Sequence, residues 1–195
     1  MTDIHIFVEG APDEVVARRL VEACGHRTAT CFGKKGWVFI RDNIAKYNQA
    51  AAHLCCLTLV DLMDTGHFCP VEVISQWLPN RQPNMLLRLV VRELESWLLA
   101  DRAGLAAFLH VNAERIPPYP EQIADPKREI VNIARRSRSR NIKSALVPEQ
   151  GSTAQVGKMY FSEMTAFIQK QWDITAAREN APSLHRCLLA LERVE

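Results

Sequence analysis

From Cys55 to Val60 the chain reads Cys-Cys-Leu-Thr-Leu-Val, with no charge until Asp61. Few architectures accept such a run. An uncharged stretch of strand length suits a central strand of a parallel sheet, whose two faces are both covered by helices. Ile4-His-Ile-Phe-Val8 has the same character, Met85 to Val91 is a further apolar run that carries one charge, Arg88, and Arg27 to Phe32 is a weaker strand. Helical patterns lie between them. Pro12 with Asp13 and Glu14 opens one, since proline suits a first turn and carboxylates suit its positive end. Val15, Val16, Leu20 and Val21 carry it to about Cys24 at helical spacing. Trp37 to His53, Pro70 to Leu78 and Arg92 to Ala100 are the other helical stretches, with Leu94, Trp97 and Leu98 on one face of the last. Strand alternating with helix over residues 4 to 100 predicts an α/β fold with a mostly parallel sheet of about four strands.

Beyond Asp101 the pattern is helical, broken at Pro117-Pro118-Tyr119-Pro120 and at Pro148. Asp125-Pro126-Lys127 has the form of a helix start, with Asp as cap and Pro at the first position. A length of 195 residues suits one domain, 1–195. Its core is expected over about 1–110, with a helical extension over about 111–195. No internal repeat is present.

Charge excludes little by itself: 24 basic and 22 acidic side chains leave +2, so distribution matters more than balance. Met1-Thr-Asp-Ile-His does not read as a secretory leader, having no basic start before an uninterrupted apolar stretch. The most apolar stretch, Met85 to Ala100, is interrupted by Arg88, Arg92, Glu93 and Glu95, so it does not read as a membrane span. Cys24, Cys31, Cys55, Cys56, Cys69 and Cys187 show no CxxC spacing and read as buried thiols of a cytoplasmic chain. A zinc site drawn from Cys24, His26, Cys31, His67 or Cys69 is the lesser reading, because the spacing is irregular.

The acids are the informative residues. Glu9 follows the first strand, Asp61 ends the third, and Glu93 and Glu95 follow the fourth. If the strands are parallel, these carboxylates emerge at the carboxyl end of the sheet, where open α/β folds bind ligands. Two carboxylates about 4 Å apart repel by about 4 kcal/mol at an effective dielectric near 20. Converging acids therefore require protonation, a metal ion or cationic side chains. Oxygen donors without His or Cys point to Mg²⁺ or Mn²⁺, and a hard cation so held commonly works on phosphate. The plainer reading is that such acids cap the following helices or form surface ion pairs.

Val8-Glu9-Gly10 before an acid-led helix, followed by an apolar strand ending in Asp61, resembles the Toprim fold of topoisomerases, primases and overcoming-lysogenization-defect nucleases. In that fold a Glu after the first strand and an Asp-x-Asp pair after the third bind Mg²⁺ and act in phosphoryl transfer. A closer resemblance is to a prokaryotic Toprim-related family, domain of unknown function 4276. The residues that carry it are Gly33-Lys34-Lys35-Gly36, Val60-Asp61-Leu62 with Cys69-Pro70, and Arg92-Glu93-Leu94-Glu95-Ser96-Trp97-Leu98-Leu99-Ala100-Asp101. Asp125-Pro126-Lys127, Trp172-Asp173 and Pro182-Ser183-Leu184 continue it over nearly the whole chain. Met63 stands where the pair would place its second Asp, and Asp64 follows one place later.

The resemblance implies a Mg²⁺-dependent nuclease, an effector subunit working with a separate ABC-type or overcoming-lysogenization-defect-like ATPase in phage defence. Glu9, Asp61, Asp64 and Glu95 would serve as metal ligands, with Glu93 as a further acid and Glu9 as general base. Lys34 or Lys35 would stabilise the phosphate. The alternative is a catalytically degraded subunit that binds an ATPase or nucleic acid, which Met63 favours. A nucleotidyl-transfer or primase-like enzyme is a third class.

Arg135-Arg136-Ser-Arg138-Ser-Arg140-Asn-Ile-Lys143 is the strongest charge run, uninterrupted by acid. It is a candidate nucleic-acid grip together with Lys127, or else a solvated surface segment. Trp97 and Trp172 read as core residues. His67 is either a proton shuttle beside Asp64 or polar surface.

Overall fold

The computed structural model describes the whole chain, Met1–Glu195. Along it run β1 (Asp3–Val8), α1 (Ala11–Ala23), β2 (Arg27–Gly33), α2 (Gly36–Ala50), β3 (Cys55–Asp61), α3 (Pro70–Trp77) and β4 (Met85–Val90). Then come α4 (Leu94–Ala100), α5 (Arg102–Phe108), α6 (Pro126–Ala134), α7 (Arg140–Leu146), α8 (Tyr160–Lys170), α9 (Ile174–Asn180) and α10 (Pro182–Leu191). The four strands form one all-parallel sheet in the order β2-β1-β3-β4. This is the expected α/β class with a helical C-terminal region, consistent with a Toprim-like arrangement. No helix is long and apolar enough to cross a membrane.

The chain forms two compact units, Met1–Val91 with Ser183–Glu195, and Arg92–Pro182. In the first, the uncharged runs are buried on both faces. Phe7, Cys56, Val60, Met85, Leu87 and Leu89 pack with Ile40 and Ile44 of α2 and Val73 of α3. Their alternates Ile4, Ile6, Val8, Leu57 and Leu59 are also buried and point to the opposite face. There α1 supplies Val16, Ala17, Leu20 and Val21. Phe7 stacks on Tyr47 at 3.9 Å and on Phe32 at 5.3 Å between ring centres. From β1 the chain crosses to β2 on one side and then back to β3 on the other. Right-handed crossovers then put α1 and α2 on opposite faces and create a switch point between β1 and β3.

β2 ends in a turn that needs glycine. Gly33 has φ +96°, and a Cβ there would collide with the Val8 carbonyl oxygen. Lys34 N donates to Val8 O at 2.8 Å and Gly36 N to Glu9 O at 3.1 Å. The Gly-Lys-Lys-Gly turn thus fixes the backbone that carries Glu9.

The second unit is helical and centred on α4, whose residues Leu94 to Ala100 are all buried. The helix begins two residues later than the sequence pattern suggests. Arg92 takes a left-handed conformation (φ +68°) and Glu93 is extended, so neither can be helical. Trp97 and Trp172 are both core residues, as expected, and Trp172 Nε1 donates to Trp97 O at 3.2 Å. Asp101 is buried and uses both oxygens: Oδ1 accepts from Gly104 N, capping α5, and Oδ2 from Asp173 N, each at 2.9 Å. The Glu-x-Trp-Leu-Leu-Ala-Asp stretch is therefore the buried axis of this unit, and its last acid ties two helix starts together.

All six cysteines are free thiols. Cys56 and Cys187 are buried and the other four half-buried.

Candidate functional site

Glu9 and Asp61 stand at the carboxyl ends of β1 and β3, the switch point of the first unit. Glu9 Oε1 accepts from Asp61 N at 2.7 Å, and the Trp37 backbone amide also donates to the Glu9 carboxylate. Burial pushes the Glu9 carboxyl up to about 8. The amides of Asp61 and Trp37 oppose that rise, whereas the negative charges of Asp13 and Asp64 add to it. At neutral pH the carboxyl therefore holds a proton unless positive charge approaches.

Asp64 lies on an exposed 3-10 turn, Met63–Thr65, and Met63 is half in solvent beside it. The turn bends the chain away from extended geometry, and Asp64 is close enough for its charge to act on Glu9. His67 is half-buried, with Nδ1 3.8 Å from a Glu72 oxygen.

The donor set is oxygen only, which suits a hard cation. Mg²⁺ is commonly held by one or two carboxylates, with water and substrate phosphate completing its shell; the contact between Glu9 and Asp61 runs from carboxylate to backbone amide. No group of three or more His, Cys, Asp or Glu side chains is gathered as a coordination sphere.

Both candidate lysines are exposed. Lys34 is left-handed (φ +60°) and its Nζ lies 3.0 Å from Glu14 Oε2. Glu14 also takes Arg18 at 2.7 Å, so it is a partner that the sequence places only as a helix-start acid. Lys35 Nζ sits 5.0 Å from the centre of the Phe39 ring, a cation–π distance.

Glu93 and Glu95 belong to the second unit and form a different kind of cluster. Glu93 Oε1 accepts from Lys127 N at 2.7 Å and Oε2 from Lys127 Nζ at 3.0 Å. The same ammonium is 3.5 Å from Glu95 Oε1, which also accepts from Tyr160 Oη at 3.2 Å. Both carboxylates are only 7 % exposed. Burial pushes the Glu95 carboxyl up to about 7; Lys127 and the Tyr160 hydroxyl oppose the rise, and the Glu93 charge adds to it. The Asp125-Pro126-Lys127 motif has a local reason. Asp125 caps α6 through Arg128 N at 2.8 Å, so Lys127 falls in the first turn with its amide and ammonium both on Glu93. Tyr160 and this reach of Lys127 carry no signal in the sequence, because 65 and 34 residues separate the partners.

The basic run spans the end of α6 and the start of α7. Arg135, Arg136, Arg138, Arg140 and Lys143 are all exposed. Arg138 donates through N and Nε to His110 O, while the other four side chains make no ion pair. From Lys127 to Lys143 seven basic residues face a single acid, Glu129. A polar cleft of about 770 Å³ is lined by Lys127, Arg128 and Arg135 on one side and the segment 148–155 on the other. Glu149, on its wall, is paired with Lys158 at 2.8 Å.

No family model, no curated protein and no solved structure matches the chain.

Proposed function

We propose that the chain is a Toprim-like, Mg²⁺-dependent nuclease that cleaves nucleic-acid phosphodiesters in the cytoplasm. The observation that supports this best is the meeting of Glu9 and Asp61 at the switch point, 2.7 Å from carboxylate to amide, with Glu9 held protonated at neutral pH and more acid nearby. A half-buried carboxyl with like charge around it is poised to bind a cation and lose its proton in doing so. A Mg²⁺ or Mn²⁺ ion there would polarise a phosphoryl oxygen.

The chain's own residues would do the rest. Glu9 and Asp61 would hold the cation with help from Asp64, whose 3-10 turn keeps it within electrostatic reach. Glu9, fixed by two backbone amides, would hold and release a proton at its carboxylate. Lys34 or Lys35 would stabilise the charge that develops on the phosphorus oxygens. The exposed basic residues Arg135, Arg136, Arg138, Arg140 and Lys143 would bind strand phosphates, whereas Lys127 is taken by Glu93 and Glu95. Glu93 and Glu95 stay in this reading through the family resemblance alone, as does the pairing with an ABC-type or overcoming-lysogenization-defect-like ATPase in phage defence.

A second reading, a degraded subunit that binds an ATPase or nucleic acid, is favoured by Met63 in place of a second site acid. One assay separates them: hydrolysis of labelled DNA and RNA with Mg²⁺ or Mn²⁺, for the native chain, Glu9→Gln and Asp61→Asn. The nuclease reading expects cleavage that falls by about a hundredfold or more in each variant. Cleavage unchanged in either variant removes that residue from the site. No cleavage by the native chain, alone or with the ATPase, selects the second reading.

A further inference from the structure

The cleft between α6 and the segment 148–155 lies wholly within the second unit. Its volume of about 770 Å³ falls in the range of about 300–1,000 Å³ common to ligand sites. Such sites are mostly apolar, whereas this one is polar on both walls. Arg128, Asn132 and Arg135 stand four and three residues apart along α6 and its cap, so they share one exposed helix face. Gln150, Thr153 and Gln155 are exposed on the facing wall. Guanidinium offers two-point contact to phosphate, and side-chain amides pair with base edges.

The other charges of the lining are already engaged. Asp125 Oδ1 accepts from Arg128 N at 2.8 Å as the cap of α6, and Glu149 Oε1 lies 2.8 Å from Lys158 Nζ. Lys127 is held by Glu93 and Glu95. Glu129 lines a second hollow and not this cleft. Arg128 and Arg135 make no ion pair, so their guanidiniums are the charges left to meet a ligand. Basic charge also continues past the cleft. Arg136, Arg138, Arg140 and Lys143 follow Arg135, all exposed, with no acid among them. A ligand that ends with the cleft leaves that run unused, whereas a chain of phosphates engages both. A duplex keeps its base edges paired inside and cannot offer them to two walls of a recess; a single strand can.

We propose that this cleft seats a single strand of nucleic acid, with Arg128 and Arg135 on its phosphates and Asn132, Gln150 and Gln155 on its bases, and that the strand continues over the basic run to Lys143. The inference rests on the nucleic-acid reading above and names its substrate class as single-stranded. It does not require Glu9 and Asp61 to be catalytic, because the cleft shares no residue with them.

The test is fluorescence anisotropy of a labelled single-stranded DNA oligonucleotide with the full chain in EDTA, where metal-dependent cleavage is off, with the matching duplex and ATP as competitors. The single strand should bind at least tenfold more tightly than the duplex. Arg128→Ala/Arg135→Ala, both surface changes, should weaken it at least tenfold. The log–log salt dependence should become shallower by about 1.4, the loss of two phosphate contacts at about 0.7 each. Lys170→Ala/Arg193→Ala removes the same charge from exposed positions outside the cleft and should change affinity less than threefold. Gln150→Ala/Gln155→Ala should weaken binding severalfold with the salt dependence unchanged. An equal loss in the two charge variants, or unchanged affinity in the glutamine variant, places the strand outside the cleft and overturns the proposal. Duplex or ATP binding as tightly as the oligonucleotide overturns it as well. A chain that cleaves yet shows no single-strand preference sinks this inference and spares the nuclease reading; one that binds as expected and never cleaves with Mg²⁺ or Mn²⁺ does the reverse.

Discussion

Two pairs of acids, one buried in the second unit and one half-buried in the first, solve the same electrostatic problem differently. Glu93 and Glu95 close on one ammonium, Lys127, which lies 3.0 and 3.5 Å from them, with the Tyr160 hydroxyl completing the shell. Glu9 has no cation. Its partners are the amides of Asp61 and Trp37, and its charged neighbours Asp13 and Asp64 are acids. A carboxylate pair with its own lysine is satisfied from within the chain, so its first duty is to hold helices together. A carboxyl that meets only dipoles and like charges is left with affinity for a proton or a metal ion. The contrast sets the Glu9–Asp61 end of the sheet, whose acid has no counter-charge, apart from the Glu93-Leu94-Glu95 motif, which has one in Lys127.

Removing the lysine should produce the largest effect. Lys127→Met leaves two buried carboxylates facing each other, and unpairing a buried charge typically costs about 3–5 kcal/mol. Urea unfolding should show a loss of that order; a loss under about 1 kcal/mol would mean that the ammonium is incidental and the two pairs are alike.

Titration should separate the pairs next. For Glu9 the folded pKa, about 8, lies above the ordinary 4.5. The folded state therefore binds the extra proton, and the contribution of this group to stability is lost as pH rises from about 4.5 to about 8. Glu9→Gln removes that loss, so its melting temperature should gain on the native chain across this window and run parallel above it. Mg²⁺ should restore the native chain at the alkaline end and leave Glu9→Gln unmoved. A Mg²⁺ response equal in the two proteins would show that the cation binds elsewhere. Glu95 has the same sign but a narrower window, ending near 7.

The smallest effect sharpens the internal pair. Tyr160→Phe deletes one hydrogen bond to Glu95, worth about 1.5–3 kcal/mol when the partner is charged. It should also move the Glu95 transition to higher pH, because the hydroxyl favours the ionised form. Carboxyl-resolved NMR titration reads that shift, and a transition that stays in place would leave Lys127 and the Glu95 backbone amide as its support.

Much of the architecture was legible in local pattern. The runs Ile4–Val8 and Cys55–Val60 are strands because an uncharged stretch of that length has to leave water on both sides, and Met85–Val91 follows them with a single charge, Arg88, that stays half-buried. Asp125-Pro126 opens a helix because its first turn needs an acceptor and tolerates a residue without an amide hydrogen. That Glu9 and Asp61 would share an edge followed from parallel strands ending at the same level. The late start of α4 was not legible, because nothing in Arg92-Glu93 announces a left-handed residue followed by an extended one. Nor was the second use of Asp101, whose Oδ2 takes the amide of a residue 72 positions away.

By itself, then, the sequence determined the strands, their burial and which acids stand at strand ends, all of which depend on neighbours a few residues apart. Only the tertiary structure decided which charge meets which. It set Lys127 between Glu93 and Glu95 and brought the Asp61 amide onto Glu9 across 52 residues. Pairing energies act through space over a few ångströms, and distance along the chain does not record distance in the fold.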